Sequence, residues 1–175
     1  ITCPICDSDE FSVEFSREDL NAMIPGNFTV VSCNNCDHMF LNPRPTTQSI
    51  KNHLYTEDYD QYRKSDSKIK IQNLLQNYGF QKRYKLISRY ITSGRLLDIG
   101  CASGDFLEYM LQFSEWDLVG LEPITKAANL AREHLNIKII NNTLTDHAFG
   151  EEKFDVITFW HVFEHVEDPI ATLNV

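Results

Sequence analysis

Two groups of residues have the types and spacing for chemistry. The first is Asp98, Gly100, Ala102 and Gly104, followed later by Glu122. Leu96 to Ile99 reads as a buried strand feeding a glycine-bearing turn and then a helix. Small residues in such a turn let the backbone approach a ligand. An acid closing the next apolar run, Trp116 to Leu121, can accept ribose hydroxyls. Together they describe a cradle for a nucleoside-bearing cofactor. A dinucleotide fingerprint requires G-x-G-x-x-G; counted from Gly100, Ala102 and Asp105 occupy the second and third glycine positions, so that pattern fails twice. A cofactor without pyrophosphate needs no tight anion nest, and the Asp98 carboxylate could face a cationic group. The bland alternative makes Gly100 and Gly104 a turn and a helix cap. Cys101, inside the loop, reads as a small packing residue that lines it.

The second group is Cys3, Cys6, Cys33 and Cys36, a C-x2-C…C-x2-C arrangement. Each pair can present two thiolates from one knuckle, and two knuckles complete a tetrahedron around zinc. The 26 intervening residues hold Phe11–Phe15 and Phe28–Val31, two short strands around Pro25 and Gly26, which is a zinc-ribbon layout. Asp7 and Asp37 follow the knuckles, and Asp tolerates the left-handed backbone such turns require. Two disulfides or four free thiols are the competing readings. A cytoplasmic location, expected from a nucleotide-cofactor fold with no secretory segment, disfavours the disulfides. A site of four thiolates is structural, because no position remains open for substrate or water. His38 reads as a neighbour of the site and not a ligand.

From Gly94 onward the chain resembles class I S-adenosylmethionine (SAM) methyltransferases. Their first motif, acid-x-G-x-G-x-G, is matched by Asp98, Gly100, Ala102 and Gly104, with Ala102 a departure. The ribose acid is matched within Gly120-Leu121-Glu122-Pro123. A phrase of the type FDVI-x(4)-LEHV-x-DP is matched from Phe154 to Pro169, with Phe163-Glu164-His165-Val166 at its centre. The resemblance implies an α/β fold with a Rossmann-like parallel sheet. Strands are expected at 95–99, 118–122, 138–141 and 155–159 in the spatial order 3-2-1-4, with helices after the first three. It implies SAM held by Asp98, Gly100, Cys101, Ala102, Gly104, Glu122, Pro123, Thr143, Leu144, Trp160 and His161. Thr143 and Leu144 stand where an acid often holds the adenine amino group, so Asp146 or the backbone could serve instead. It also places His161 and His165 on the acceptor side as candidate proton acceptors, with Glu164 shaping the loop.

The front of the chain adds to the resemblance. Bacterial methyltransferases with an N-terminal zinc ribbon often continue C-x3-F-x-N-P-x-P, as Cys36, Phe40, Asn42, Pro43 and Pro45 do here, before a tyrosine-rich stretch. Several act on sugars of surface polysaccharide or in secondary metabolism, which implies a small-molecule acceptor, possible classes including a nucleotide-linked sugar. Pro43 and Pro45 favour an extended path, and Thr46 or Thr47 can cap a short helix through Leu54. Tyr55, Tyr59 and Tyr62 are candidates for cofactor or substrate contact, although each alone is more often a half-buried aromatic.

These groups imply a ribbon at 1–45, a helical linker at 46–93 and the first part of a SAM-binding domain at 94–175. The linker is basic: residues 63–95 hold nine lysines and arginines against Asp66 alone, in a chain of net charge −9. Ile71, Leu74, Leu75, Tyr78, Tyr84, Ile87 and Ile91 recur at helical spacing, giving one or two amphipathic helices with Gly79 as a break. The basic residues are read first as a solvated face, and second as a patch for a phosphate-bearing substrate. The acidic balance argues against general nucleic-acid affinity. No apolar run is long enough to cross a membrane. Strands five to seven of the implied sheet are absent, so the domain is expected to be truncated and to leave an exposed fourth strand at which copies could associate. Two other function classes remain at this point. One is a non-catalytic module that docks a protein or RNA; the other is a nicotinamide oxidoreductase.

Overall fold

The computed structural model describes residues 1–19, 26–46, 70–147, 149–166 and 168–174, with the backbone alone at 70–73. Pro25, the helix expected through Leu54 apart from its candidate cap Thr46, the three tyrosines at 55, 59 and 62, and Arg63, Lys64 and Lys68 lie outside the described residues. The chain divides into two compact units, Ile1–Thr56 with Val166–Val175, and Glu57–His165.

In the first unit, β1 (Phe11–Glu18), β2 (Asn27–Cys33) and β3 (Met39–Leu41) form an antiparallel sheet in that order. The pairing of β1 with β2 slips between Val13 and Phe15, leaving Glu14 as a bulge. The third strand is an addition to the two expected ones. Among the described residues of this unit the buried apolar ones are Val31, Cys3, Cys33 and, in its C-terminal segment, Pro169, and every residue of β1 is exposed. So small an apolar core does not stabilise a sheet by itself; a ribbon of this size needs a covalent or metal staple. The Asn42–Pro43 peptide is cis, which turns the chain where an extended path was expected. A short helix, α4 (Pro169–Leu173), begins with Asp168 accepting a hydrogen bond from the Ala171 amide at 2.8 Å and with proline in the first turn.

The second unit is a parallel sheet with helices. Its strands β4 (Gly94–Ile99), β5 (Trp116–Leu121), β6 (Lys138–Ile140) and β7 (Val156–Thr158) lie in the spatial order β6-β5-β4-β7. This is the 3-2-1-4 order expected of a Rossmann-like sheet. Leu96, Leu97, Leu118, Val119 and Leu121 are almost fully buried. A parallel strand covered on both faces requires such a continuous apolar run. One face packs on α2 (Asp105–Met110) and α3 (Thr125–His134), where Ala127, Ala128 and Ala131 are fully buried and allow close approach. The other face gathers Phe149, Phe154, Phe159 and Val162 around Leu97, Ile99, Val119 and Leu121.

Of the one or two helices expected in the linker, the described residues form one, α1 (Lys70–Ile87), which runs through Gly79 unbroken; an interior glycine costs only about 1 kcal/mol and tertiary contacts offset it. Two expectations are corrected here. The face α1 buries is Phe80, Tyr84 and Ile87, which pack on the core, while Leu74, Leu75 and Tyr78 stand exposed. Periodicity gives an apolar stripe without saying which end of it meets the core. No helix follows β6 among the described residues. Asn142 and Asp146 engage Thr143 there through side-chain hydrogen bonds that favour a turn over helix.

Candidate functional site

The loop between β4 and α2 is built by left-handed backbone. Gly100 (φ 70) and Gly104 (φ 82) adopt it without penalty, and a side chain at Gly100 would overlap the Val162 methyl group. That close approach seats the segment after β7 directly on the loop. Ala102 also has positive φ (50), a conformation that costs a non-glycine residue roughly 1 kcal/mol. Its amide donates to Glu122 Oε2 at 2.9 Å, and the Ile124 amide donates to Glu122 Oε1 at 2.8 Å. Both carboxylate oxygens therefore have partners, and the side chain is 3% exposed. Burial raises the Glu122 carboxyl, opposed by the Ile124 and Ala102 amides. Asn141 donates from its side chain to the carbonyls of Glu122 (2.8 Å) and Pro123 (3.1 Å), fixing the strand end.

Asp98 lies at the heart of the sheet end, 3% exposed. Thr158, its partner in the β4–β7 register, donates to Asp98 Oδ1 at 2.6 Å. Burial pushes the Asp98 carboxyl up to about 7; Thr158 and the Arg83 charge pull against that rise, and Glu122 adds to it. Cys101 is buried in the core, where burial followed by the Asp98 and Glu122 charges pushes its thiol up and keeps it protonated. Helix α1 leans over this end. Gln76 donates to Asp105 at 2.9 Å. The Arg83 guanidinium stacks 4.9 Å from the Trp160 ring centre and also over Phe80 and Phe106. The basic face is thus not uniformly solvated, since Arg83 is half-buried and Arg95 pairs with Asp117 and Glu152.

Asp98, the loop and Glu122 are brought together as a connected group. Trp160 joins it through Arg83 and Phe106. Thr143 donates to Asp146 at 2.6 Å within its turn, and Leu144 packs against the sheet. His161 has positive φ (59) and a side chain 80% exposed that pairs with Glu164 at 3.6 Å. His165 lies in the short 3-10 turn Phe163–His165, its amide donating to the Val162 carbonyl. Sequence reasoning did not find Thr158, Arg83 or Gln76. The signal for Thr158 was a hydroxyl in an otherwise apolar strand; Arg83 and Gln76 gave none apart from their helix.

The cysteine site is separate. The four sulfurs lie within 4.8 Å of one another, with Cys3–Cys36 and Cys6–Cys33 both at 3.6 Å. All five cysteines of the chain are free thiols. Tetrahedral zinc with bonds of about 2.3 Å places its sulfurs roughly 3.8 Å apart, so the donor set fits that ion. Asp7 (φ 58) and Asp37 (φ 59) adopt the left-handed turn, and their amides donate to the Cys3 and Cys33 carbonyls at 3.0 Å. The Asn35 amide donates to the Cys33 sulfur at 3.4 Å. Hydrogen bonds, the largest from Asn35, draw Cys6 down to about 6. Burial and the neighbouring thiols push Cys36 up to about 12 against a lowering hydrogen bond at the His38 backbone. Four thiols this close cannot all ionise without a cation among them.

Comparison with known proteins decides the family. A family described as a methyltransferase domain matches residues 80–174, more than half of the chain. The chain belongs to this family. Ubiquinone biosynthesis O-methyltransferase of Cereibacter sphaeroides is 40% identical over 85 residues, covering 46% of this chain and 34% of that protein. The protein of the same name from Actinobacillus pleuropneumoniae is 32% identical over 90 residues, covering 46% and 38%. The chain therefore spans little more than a third of the length of the curated relatives it matches. Among solved structures, the plantazolicin methyltransferase BpumL with a pentazolic desmethylPZN analog and SAH superposes with a TM-score of 0.50 at 25% identity, covering 67% of this chain and 44% of that one. The PH0226 protein of Pyrococcus horikoshii OT3 gives 0.51 at 21% identity, covering 69% and 55%, a likeness of fold. The match takes in the sheet and the C-terminal part of α1, from Phe80 onward. No described helix is long and apolar enough to cross a membrane.

Proposed function

We propose that this chain forms the cofactor half of a SAM-dependent methyltransferase acting on a small molecule. The observation that carries the reading is the hydrogen-bonded group of Asp98, the Gly100–Gly104 loop and Glu122 at the end of a 3-2-1-4 sheet. Ligands of such sheets sit at the carboxyl ends of the strands. The SAH in the BpumL structure supports the same choice of cofactor. SAM supplies a methyl group on a cationic sulfur, open to in-line displacement.

The chain's residues then bind, orient and exclude water. Glu122 is assigned to the ribose hydroxyls, exchanging part of its backbone hydrogen bonding for them. Asp98 is assigned to the cationic end, and Trp160 and Val162 to the wall that keeps water out. With SAM bound, these residues would hold its methyl carbon in line with the acceptor and away from water. A hydroxyl acceptor must also lose its proton. We assign that acceptor side to His161 and His165. Relatives named O-methyltransferases support a hydroxyl as the acceptor. Within the small molecules we retain the nucleotide-linked sugar, which the ribbon resemblance suggests. The stacking of Arg83 and the pairing of Arg95 leave less free positive charge for its phosphates than the sequence suggested.

We assign zinc to Cys3, Cys6, Cys33 and Cys36, in a structural role, on the donor set and spacing of that cluster. We retain the cytoplasm as the compartment, as the nucleotide-cofactor resemblance suggests. We assign self-association to β7, which lies at one edge of the described sheet and on which Ile157 is 52% exposed.

The test of activity uses methyl-labelled SAM and a panel of phenols, catechols and sugar nucleotides. Label is expected to enter one acceptor group, and Glu122→Ala should lower the rate at limiting SAM more than tenfold. A chain that binds a protein or RNA partner and transfers no label to any acceptor would favour the non-catalytic module.

A further inference from the structure

Strand β7 needs an apolar or β-branched residue at position 158, and valine would fill the same space. The strand is Val156-Ile157-Thr158, and the position is 6% exposed. A hydroxyl buried in a sheet is unfavourable unless it is paired. It is paired here with one group. Thr158 Oγ1 lies 2.6 Å from Asp98 Oδ1, across a register that sets the two residues side by side on neighbouring strands. The Leu97 carbonyl lies at 3.5 Å, too far to be its main partner.

We propose that Thr158 is a positioning residue for the cofactor cleft, whose hydroxyl locks the Asp98 carboxylate in one rotamer and supports its charged form, so that the cationic end of the ligand meets a preformed negative group. This rests on the SAM reading given above. The hydroxyl donates its one proton to the carboxylate, a bond available in full only while that oxygen is an acceptor. The other charged and titratable groups facing Asp98 come from separate elements. Arg83 on α1 favours the charge, and Glu122 after β5 opposes it. Cys101 in the loop is a neutral neighbour. Thr158 is the contributor from β7, and it acts by direct contact.

The experiment compares Thr158→Val, which keeps the shape, with Thr158→Ser, which keeps the hydroxyl. SAM and SAH affinity would be measured by calorimetry between pH 6 and 9. The Asp98 carboxyl would be titrated separately by carbon NMR without ligand. Thr158→Val is expected to weaken SAM binding about tenfold near pH 7, to move the Asp98 midpoint to higher pH, and to lose less affinity at pH 9. Thr158→Ser should stay within about threefold of the parent. Should Thr158→Val fail to fold, Thr158→Cys, a much weaker donor of similar shape, takes its place. Equal affinity and an unmoved Asp98 midpoint in the valine (or cysteine) protein would overturn the proposal. So would a serine protein as impaired as the valine one, since shape would then be what matters. If the parent binds neither ligand, the SAM reading fails, and the NMR midpoint still decides whether Thr158 controls the charge of Asp98.

Discussion

At the scale of single residues, the cost of the site is visible in Asp98 and Ala102. An aspartate in the unfolded chain ionises near 4. In the fold, burial moves Asp98 to about 7. Between those values the folded state keeps the proton, so the contribution of this group to stability is full below about pH 4 and is lost as pH rises toward 7. Asp98→Asn removes that loss. Its effect on unfolding free energy should shift in the stabilising direction between pH 5 and pH 8 by on the order of 2 kcal/mol, read as a rise in melting temperature relative to the parent, while SAM affinity falls. An effect of the same size at both pH values, followed by differential scanning fluorimetry, would contradict the burial argument. Ala102 holds a left-handed conformation. Ala102→Gly relieves it and is expected to change stability by no more than about 1 kcal/mol in the favourable direction, the entropy of glycine in the unfolded chain taking back part of the gain. Asp98, Glu122 and the loop glycines were legible in the sequence because each is an unusual residue type at a fixed distance from an apolar run. Thr158 was not legible as part of the site. Its role depends on a register between strands 60 residues apart, which no local pattern encodes. Arg83 was read as one of many surface charges for the same reason.

At the scale of elements, the strand positions followed from apolar runs separated by turns and the spatial strand order from the methyltransferase resemblance, whereas faces and interruptions followed from neither. Of the α1 stripe, Leu74, Leu75 and Tyr78 are exposed while Phe80 and Tyr84 pack on the core. The turn after β6 is set by side-chain hydrogen bonds of Asn142, Thr143 and Asp146 that helical periodicity ignores. The ribbon depends on its four sulfurs more than on its apolar residues. We expect one zinc per chain by metal analysis, and removal by a strong chelator should erase the ribbon's amide protection from hydrogen exchange while strands β4 and β5 stay protected. Cys33→Ser, at a buried ligand, should lose the metal outright. A ribbon that stays protected with no metal bound would show that the thiols need no cation. The edge strand offers a further check: Ile157→Lys should reduce concentration-dependent association in sedimentation, because a charge on an edge disfavours strand pairing.

At the scale of the whole molecule, the chain carries a ribbon with four clustered cysteines and, among the described residues, few buried apolar side chains, and a parallel sheet whose strand ends carry two buried acids. The net charge of −9 is compatible with a small-molecule acceptor and sets it against nucleic acid as a general partner. The match to a methyltransferase domain over residues 80–174 places the sheet, and its relatives extend well past the length seen here. The cofactor claim is the one on which acceptor, base and mechanism all depend. The most direct measurement is a calorimetric titration of the purified, metal-analysed chain with SAM and SAH, with NADH as the control ligand. Our account predicts saturable one-site binding of SAM and SAH, none of NADH, and at least tenfold weaker binding by Glu122→Ala. A folded chain that binds NADH and ignores both SAM and SAH would contradict it.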